Sequence, residues 1–212
     1  SQIPKNIKIK VFVYDQSNPP INIKSDSNII EIFHKLNDSK ITNKILQLKH
    51  IIYELLKQTL KFDTIYVAFV EDDFVLCKGG MNCILQSLRY AEETNPEFSS
   101  IELSAGNNFL IKSKDIPSVM DHIQESFGNI TKEIDHCIVQ YVNRETDLSK
   151  EYLKNRTGFW LQPKPFKHIG FVSTQDGDTH IWDENHHKSK PYFTCHTWMD
   201  QHFTSHQKID IR

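Results

Sequence analysis

The sequence predicts an α/β fold: a Rossmann-like, mostly parallel sheet with helices on both faces, plus a small β-rich C-terminal extension. Three observations carry this. Segments of β-branched and aromatic residues alternate along the chain with segments whose apolar residues recur at helical spacing. The run at 64–70 (TIYVAFV) is almost continuously apolar, as a strand covered on both faces is. From residue 159 onward the texture changes to one rich in His, Trp, Phe and Thr. These place a soft boundary near 150–158, with the α/β domain at 1–150 and the histidine- and aromatic-rich extension at 151–212.

In order, residues 7–14 (IKIKVFVY) alternate and then run apolar, which predicts a strand. Asn18-Pro19-Pro20 marks a loop. Residues 28–36 are expected to form a short helix and 41–61 a longer one. In the latter, Ile45, Leu48, Ile52, Leu55, Leu56 and Leu60 make one buried stripe. The strand at 64–70 is expected to be central, and Asp72-Asp73 after it reads as a solvated turn before it reads as an acid/base or metal pair. Gly79-Gly80 opens a helix with Met81, Ile84, Leu85, Leu88 and Ala91 inside. Pro96 ends it by forcing Asn95 out of the helical region. Residues 100–104 predict a strand. Pro117 predicts the first turn of a helix capped by Asp115, with Val119, Met120, Ile123 and Phe127 inside and Gly128 closing it. Residues 135–143 (DHCIVQYVN) read as a strand, and 147–156 as a charged connection with a helical turn or two. The order β-α-α-β-α-β-α-β is what makes the expected sheet mostly parallel. Residues 169–174 and 192–198 look like strands of the extension.

A chain of 212 residues can bury one core of ordinary size. A net charge of −2 gives no field that would draw it to nucleic acid or an anionic membrane. No apolar run reaches the roughly 18–20 residues of a spanning helix, and the N-terminus carries no signal-peptide core. Cys77, Cys83, Cys137 and Cys195 form no C-x-x-C and are expected to be reduced thiols in a cytoplasmic protein.

The stretch 79–103 carries a resemblance. Gly80, Leu85, Leu88, Arg89, Glu93, Pro96 and Glu97, followed by Ile101-Glu102-Leu103, resemble the helix-stop-strand unit of the structural, non-catalytic ketoreductase subdomain of polyketide and fatty acid synthases. Residues 116–127 and 137–144 are similar to the helix, and to the strand ending in a short basic or glycine turn, that follow in that family. The resemblance implies a Rossmann-like fold that binds no nucleotide and braces a catalytic neighbour. Its partners would be neighbouring synthase domains or a carrier protein, and it implies no cofactor. NADPH reduction requires a glycine-rich turn at a helix N-terminus, and none of the seven glycines makes one. Tyr53 and Lys57 reproduce a Tyr-x-x-x-Lys pair, but on a helix with no such turn before it, a chance spacing.

Seven of the eleven histidines lie between 168 and 206. Imidazole is the commonest transition-metal ligand, and His202 and His206 would align on one helix face. His196, His202 and His206 are therefore metal candidates, with zinc as the example. No H-E-x-x-H or finger spacing accompanies them, so a wet polar surface is the plainer reading. His196-Thr197-Trp198 with Asp200 also resembles the pyruvoyl-dependent S-adenosylmethionine decarboxylases, although Pro191 stands where that family has its serine and Ser189 lies two residues early. Cys195 and His196 invite a nucleophile-base reading, but neighbours on a strand point to opposite faces. Three readings remain open. The first is a scaffold or interaction domain of a synthase assembly line. The second is a small enzyme with its site in the tail, metal-dependent or decarboxylase-like, using His196, Asp200 or Cys195. The third is a stand-alone binding protein.

Overall fold

The residues that alternate along three strands sort the core into two layers. In β5 (Ser100–Glu102) and β6 (Phe109–Lys112), Ile101 and Leu110 pack with Ile84, Ala91, Phe98 and Phe159. Phe109 and Ile111, one residue out of phase, pack with Leu56, Ile116, Val119, Ile123, Ile138 and Tyr141. Successive side chains of a strand leave opposite faces, so one sheet serves two apolar clusters. This is a computed structural model; it describes residues 11–15, 30–34, 43–71, 74–104, 108–129, 134–162, 164–168 and 208–211.

Among those residues the chain runs β1 (Val11–Asp15), β2 (Ile30–His34), α1 (Lys44–Thr59), β3 (Tyr66–Phe69), β4 (Phe74–Leu76), α2 (Gly80–Thr94), β5, β6, α3 (Ile116–Glu125), α4 (Ile134–Val142), α5 (Asp147–Tyr152), β7 (Gly158–Gln162), β8 (Phe166–His168) and β9 (Lys208–Ile211). The main sheet has the order β3-β6-β5-β7-β9. β5 pairs with β7 in parallel, while β3-β6, β5-β6 and β7-β9 are antiparallel. β1 and β2 form a separate parallel pair, and β4 and β8 an antiparallel one. Helices cover both faces, α2 on one and α1, α3 and α4 on the other. The α/β class is therefore as expected, but the sheet is mixed rather than mostly parallel. The expected boundary near 150 falls between α5 and β7, and β7 continues the sheet that β5 belongs to.

Where sequence and structure agree, the local chemistry is explicit. Asn43 caps α1, its side chain accepting from the Leu46 amide at 2.9 Å. Asn95 is extended (φ −151°, ψ 91°), as the proline after it requires. Pro117 lies in the first turn of α3 behind Asp115, whose side chain makes no capping bond; it is engaged elsewhere. Gly79 has φ 78°, and Gly80 is closed in: a Cβ there would lie 2.7 Å from the Pro165 carbonyl oxygen and 2.8 Å from Leu76 Cδ1. The two glycines thus serve a tight entry and a close approach to β8, not a phosphate. Gly80→Ala is expected to cost roughly 1–3 kcal/mol, because the clash is partly with backbone. The urea midpoint reads it; an unchanged midpoint would mean that Pro165 moves away freely.

Five elements differ from expectation. Residues 30–34 are strand, paired in parallel with β1. Residues 134–142 are helix: Ile134, Cys137, Ile138 and Tyr141 are the buried positions, and that spacing is helical despite the β-branched composition. The strand at 66–69 is an edge of the main sheet with Ala68 exposed, and the strands buried throughout are β5 and β6. β4 and β6 are strands that the sequence pattern does not announce. The thiol expectation also needs correction: Cys83 and Cys137 are buried thiols outside any disulfide, but Cys77 is disulfide-bonded. The cytoplasmic location loses that part of its support, since disulfides persist in oxidising compartments. No helix among the described residues is long and apolar enough to cross a membrane.

Candidate functional site

The second core layer does not cover the whole sheet. On β3 and β6 it meets Val67, Phe69, Phe109 and Ile111. One strand further, β5 offers the same face Ser100 and Glu102. Their partners in register are Gly158 and Trp160 of β7. Polar and small residues cannot continue an apolar core, so the helical layer stops there. The last residues of α4 and its exit turn, Val142, Asn143 and Arg144, overhang the gap. The result is a cleft of about 430 Å³ lined by these three with Ser100, Glu102, Phe109, Gly158 and Phe159. That lies within the size range of small-molecule sites.

Three features set its chemistry. The Ser100 hydroxyl is buried and has no hydrogen-bond partner among the described residues. A buried polar atom without a partner costs roughly 1–3 kcal/mol, so a donor or acceptor arriving in the cleft would recover that loss. Glu102 is buried and bonded by Lys164 at 2.7 Å, with Lys164 also 4.9 Å from the centre of the Trp160 ring. Arg144 sits in the left-handed region (φ 59°). It occupies the position after α4 where glycine is usual: its amide bonds to the Tyr141 carbonyl at 3.1 Å and the Glu145 amide to the Gln140 carbonyl at 2.9 Å, which is a Schellman closure. Its side chain is half-buried and makes no hydrogen bond or ion pair with any described residue.

Beside the cleft stands a structural clamp. The Arg156 guanidinium grips both oxygens of Asp115, at 2.6 and 2.5 Å, and donates to the carbonyls of Glu97 and Phe98, each at 2.9 Å. Asp115 holds the Arg156 charge firmly, raising its pKa. The Ser118 hydroxyl donates to the Asp115 carbonyl at 2.8 Å and accepts from the Tyr141 hydroxyl. On the other face, Glu92 bonds Tyr66 and lies 2.9 Å from Lys112, whose ammonium stands 4.4 Å from the Phe98 ring centre. The Tyr66 hydrogen bond first, and Lys112 next, hold the Glu92 carboxyl below the usual range. All these groups satisfy one another, so they fix the architecture and leave the cleft as the open polar feature.

The residues singled out from sequence mostly lie elsewhere. Cys195, His196, Asp200, His202 and His206 fall outside the described residues, as do Ser189 and Asp72-Asp73. Among the described residues no group of three His, Cys, Asp or Glu is placed to hold a metal. Tyr53 lies edge-on to Phe127, and Lys57 pairs with Glu54 at 3.5 Å, so the two form no catalytic pair. Ser100, Gly158 and Asn143 are site residues that no local signal marks, because the cleft depends on β5 meeting β7. Arg144 has one available signal: a basic residue at the end of an element that closes without glycine. Comparison with protein-family models, curated proteins and solved structures finds no match to this chain.

Proposed function

We propose that the chain is a binding module whose ligand is a small molecule held between the β5-β7 face and the end of α4. One observation carries this reading: a buried Ser100 hydroxyl, unpartnered among the described residues, lining a cleft that also presents an unengaged guanidinium. The apolar groups on this face, Phe109 and Val142, would hold the body of the ligand. Amide chemical shifts of the protein titrated with a small-fragment set test it. Shifts are expected at Ser100, Asn143, Arg144 and Gly158. They should vanish in Gly158→Leu, since a Cβ there lies 3.4 Å from Ser100 Oγ, an ordinary contact, and the longer side chain fills the cleft. Fragments that map elsewhere, or that persist in the filled variant, would overturn the reading.

A second reading, the scaffold domain of a synthase assembly line, has its own support. It draws on the succession of α2, the Asn95-Pro96 stop and β5, with Asn95 Nδ2 donating to Thr157 Oγ1 at 2.8 Å just before β7. In that role the partners are neighbouring synthase domains or a carrier protein. Titration with an isolated carrier protein separates the two readings: shifts confined to the outer surface of α2 favour the scaffold, and shifts at the cleft favour the binding module.

A further inference from the structure

We infer that the cleft takes an amphipathic acid, a molecule with one anionic head and an apolar body, and that Arg144 reads the head. This rests on the cleft being a ligand site at all. Charge arithmetic gives the sign: Glu102 lines the cleft but is neutralised by Lys164 at 2.7 Å, so the charge left over is that of Arg144. Phe109 and Val142 then supply the surface for the body, and Ser100 a hydroxyl that can donate to a second oxygen of the head.

The backbone at Arg144 adds an independent argument. A Schellman closure at φ 59° favours glycine, and a non-glycine residue there carries strain. Strain of this kind is held where a side chain has work to do at that place. The guanidinium has no protein partner among the described residues, so that work is directed at something that arrives. A planar fork of donors suits carboxylate and phosphate alike, and the shared chemistry is the oxyanion.

The experiment uses the whole chain and two fluorescent probes of similar body, anilinonaphthalene sulfonate and uncharged phenylnaphthylamine. The sulfonate is expected to bind saturably, one per chain. Arg144→Gln should weaken it about tenfold or more while leaving the neutral probe unchanged. Arg144→Gly should weaken it as much and at the same time raise the urea midpoint, because it relieves the left-handed strain. A purely structural arginine would not split binding from stability in this way. Competition by octanoate and by octyl phosphate then assigns the head as carboxylate or phosphate, and displacement by neither overturns the inference. If both probes bind equally and neither variant matters, the cleft reading survives and the acid does not. If neither probe binds, both fall together.

Discussion

Arg156→Ala is expected to lower the unfolding free energy by roughly 3–5 kcal/mol. The reason is what it leaves behind. Asp115 is only 7% exposed, and its carboxylate would lose both hydrogen bonds of the guanidinium fork. The carbonyls of Glu97 and Phe98 would lose their donors as well. Three parts of the fold meet at this side chain: the turn after α2, the start of α3 and the approach to β7. Arg156→Lys keeps the charge but loses the fork, so an intermediate loss is expected. A double variant, Arg156→Met with Asp115→Leu, should recover much of the single-variant loss, because the cost comes from the stranded charge more than from the missing pair. Urea midpoints of the set form a double-mutant cycle. A loss under about 1 kcal/mol for Arg156→Ala would show the clamp to be screened like a surface pair.

The same clamp shows how far the sequence is legible. Local stops are legible, because Pro96 and Pro117 restrict their own neighbourhood whatever the rest of the chain does. The helical stripe of α1 is legible for the same reason. The identity of α4 is not: Ile138, Val139 and Val142 favour strand, and only the burial of Ile134, Cys137, Ile138 and Tyr141 shows the helical period winning over propensity. Strand direction is beyond reach without β4 and β6, since each short strand reverses the sense of the next one. An apolar run such as 64–70 says that a strand is shielded but not where it lies in the sheet. The cleft is hidden for a third reason. It exists because β5 and β7, far apart in sequence, pair in parallel and bring Ser100, Glu102 and Gly158 to one face. Nothing in either strand alone marks it.

Stability is expected to fall as pH rises from about 10 to about 12, and Tyr141 is one cause. Burial pushes its phenol up to about 12 from an ordinary value near 10; the nearby Asp115 carboxylate adds to this, while Ser118 and Arg156 oppose it. The folded state therefore holds the phenolic proton more tightly than the unfolded chain does. The stabilisation is complete below the unfolded value and is lost as pH climbs through the folded one. A shift of that size corresponds to roughly 2–3 kcal/mol across the window. The geometry explains why relief is not available. The Tyr141 hydroxyl bonds Ser118, which also bonds the Asp115 carbonyl, and this single hydroxyl only partly offsets the loss of solvation a phenolate would suffer there. Tyr66 adds in the same direction, raised by burial and then by the Glu92 carboxylate beside it. Urea midpoints from about pH 8 to about pH 12, read together with phenolate absorbance, check this. Tyr141→Phe and Tyr66→Phe should each flatten part of the slope. A midpoint that is level through this window in the unaltered chain would mean that the Tyr141 hydroxyl is reached by water, against its near-complete burial.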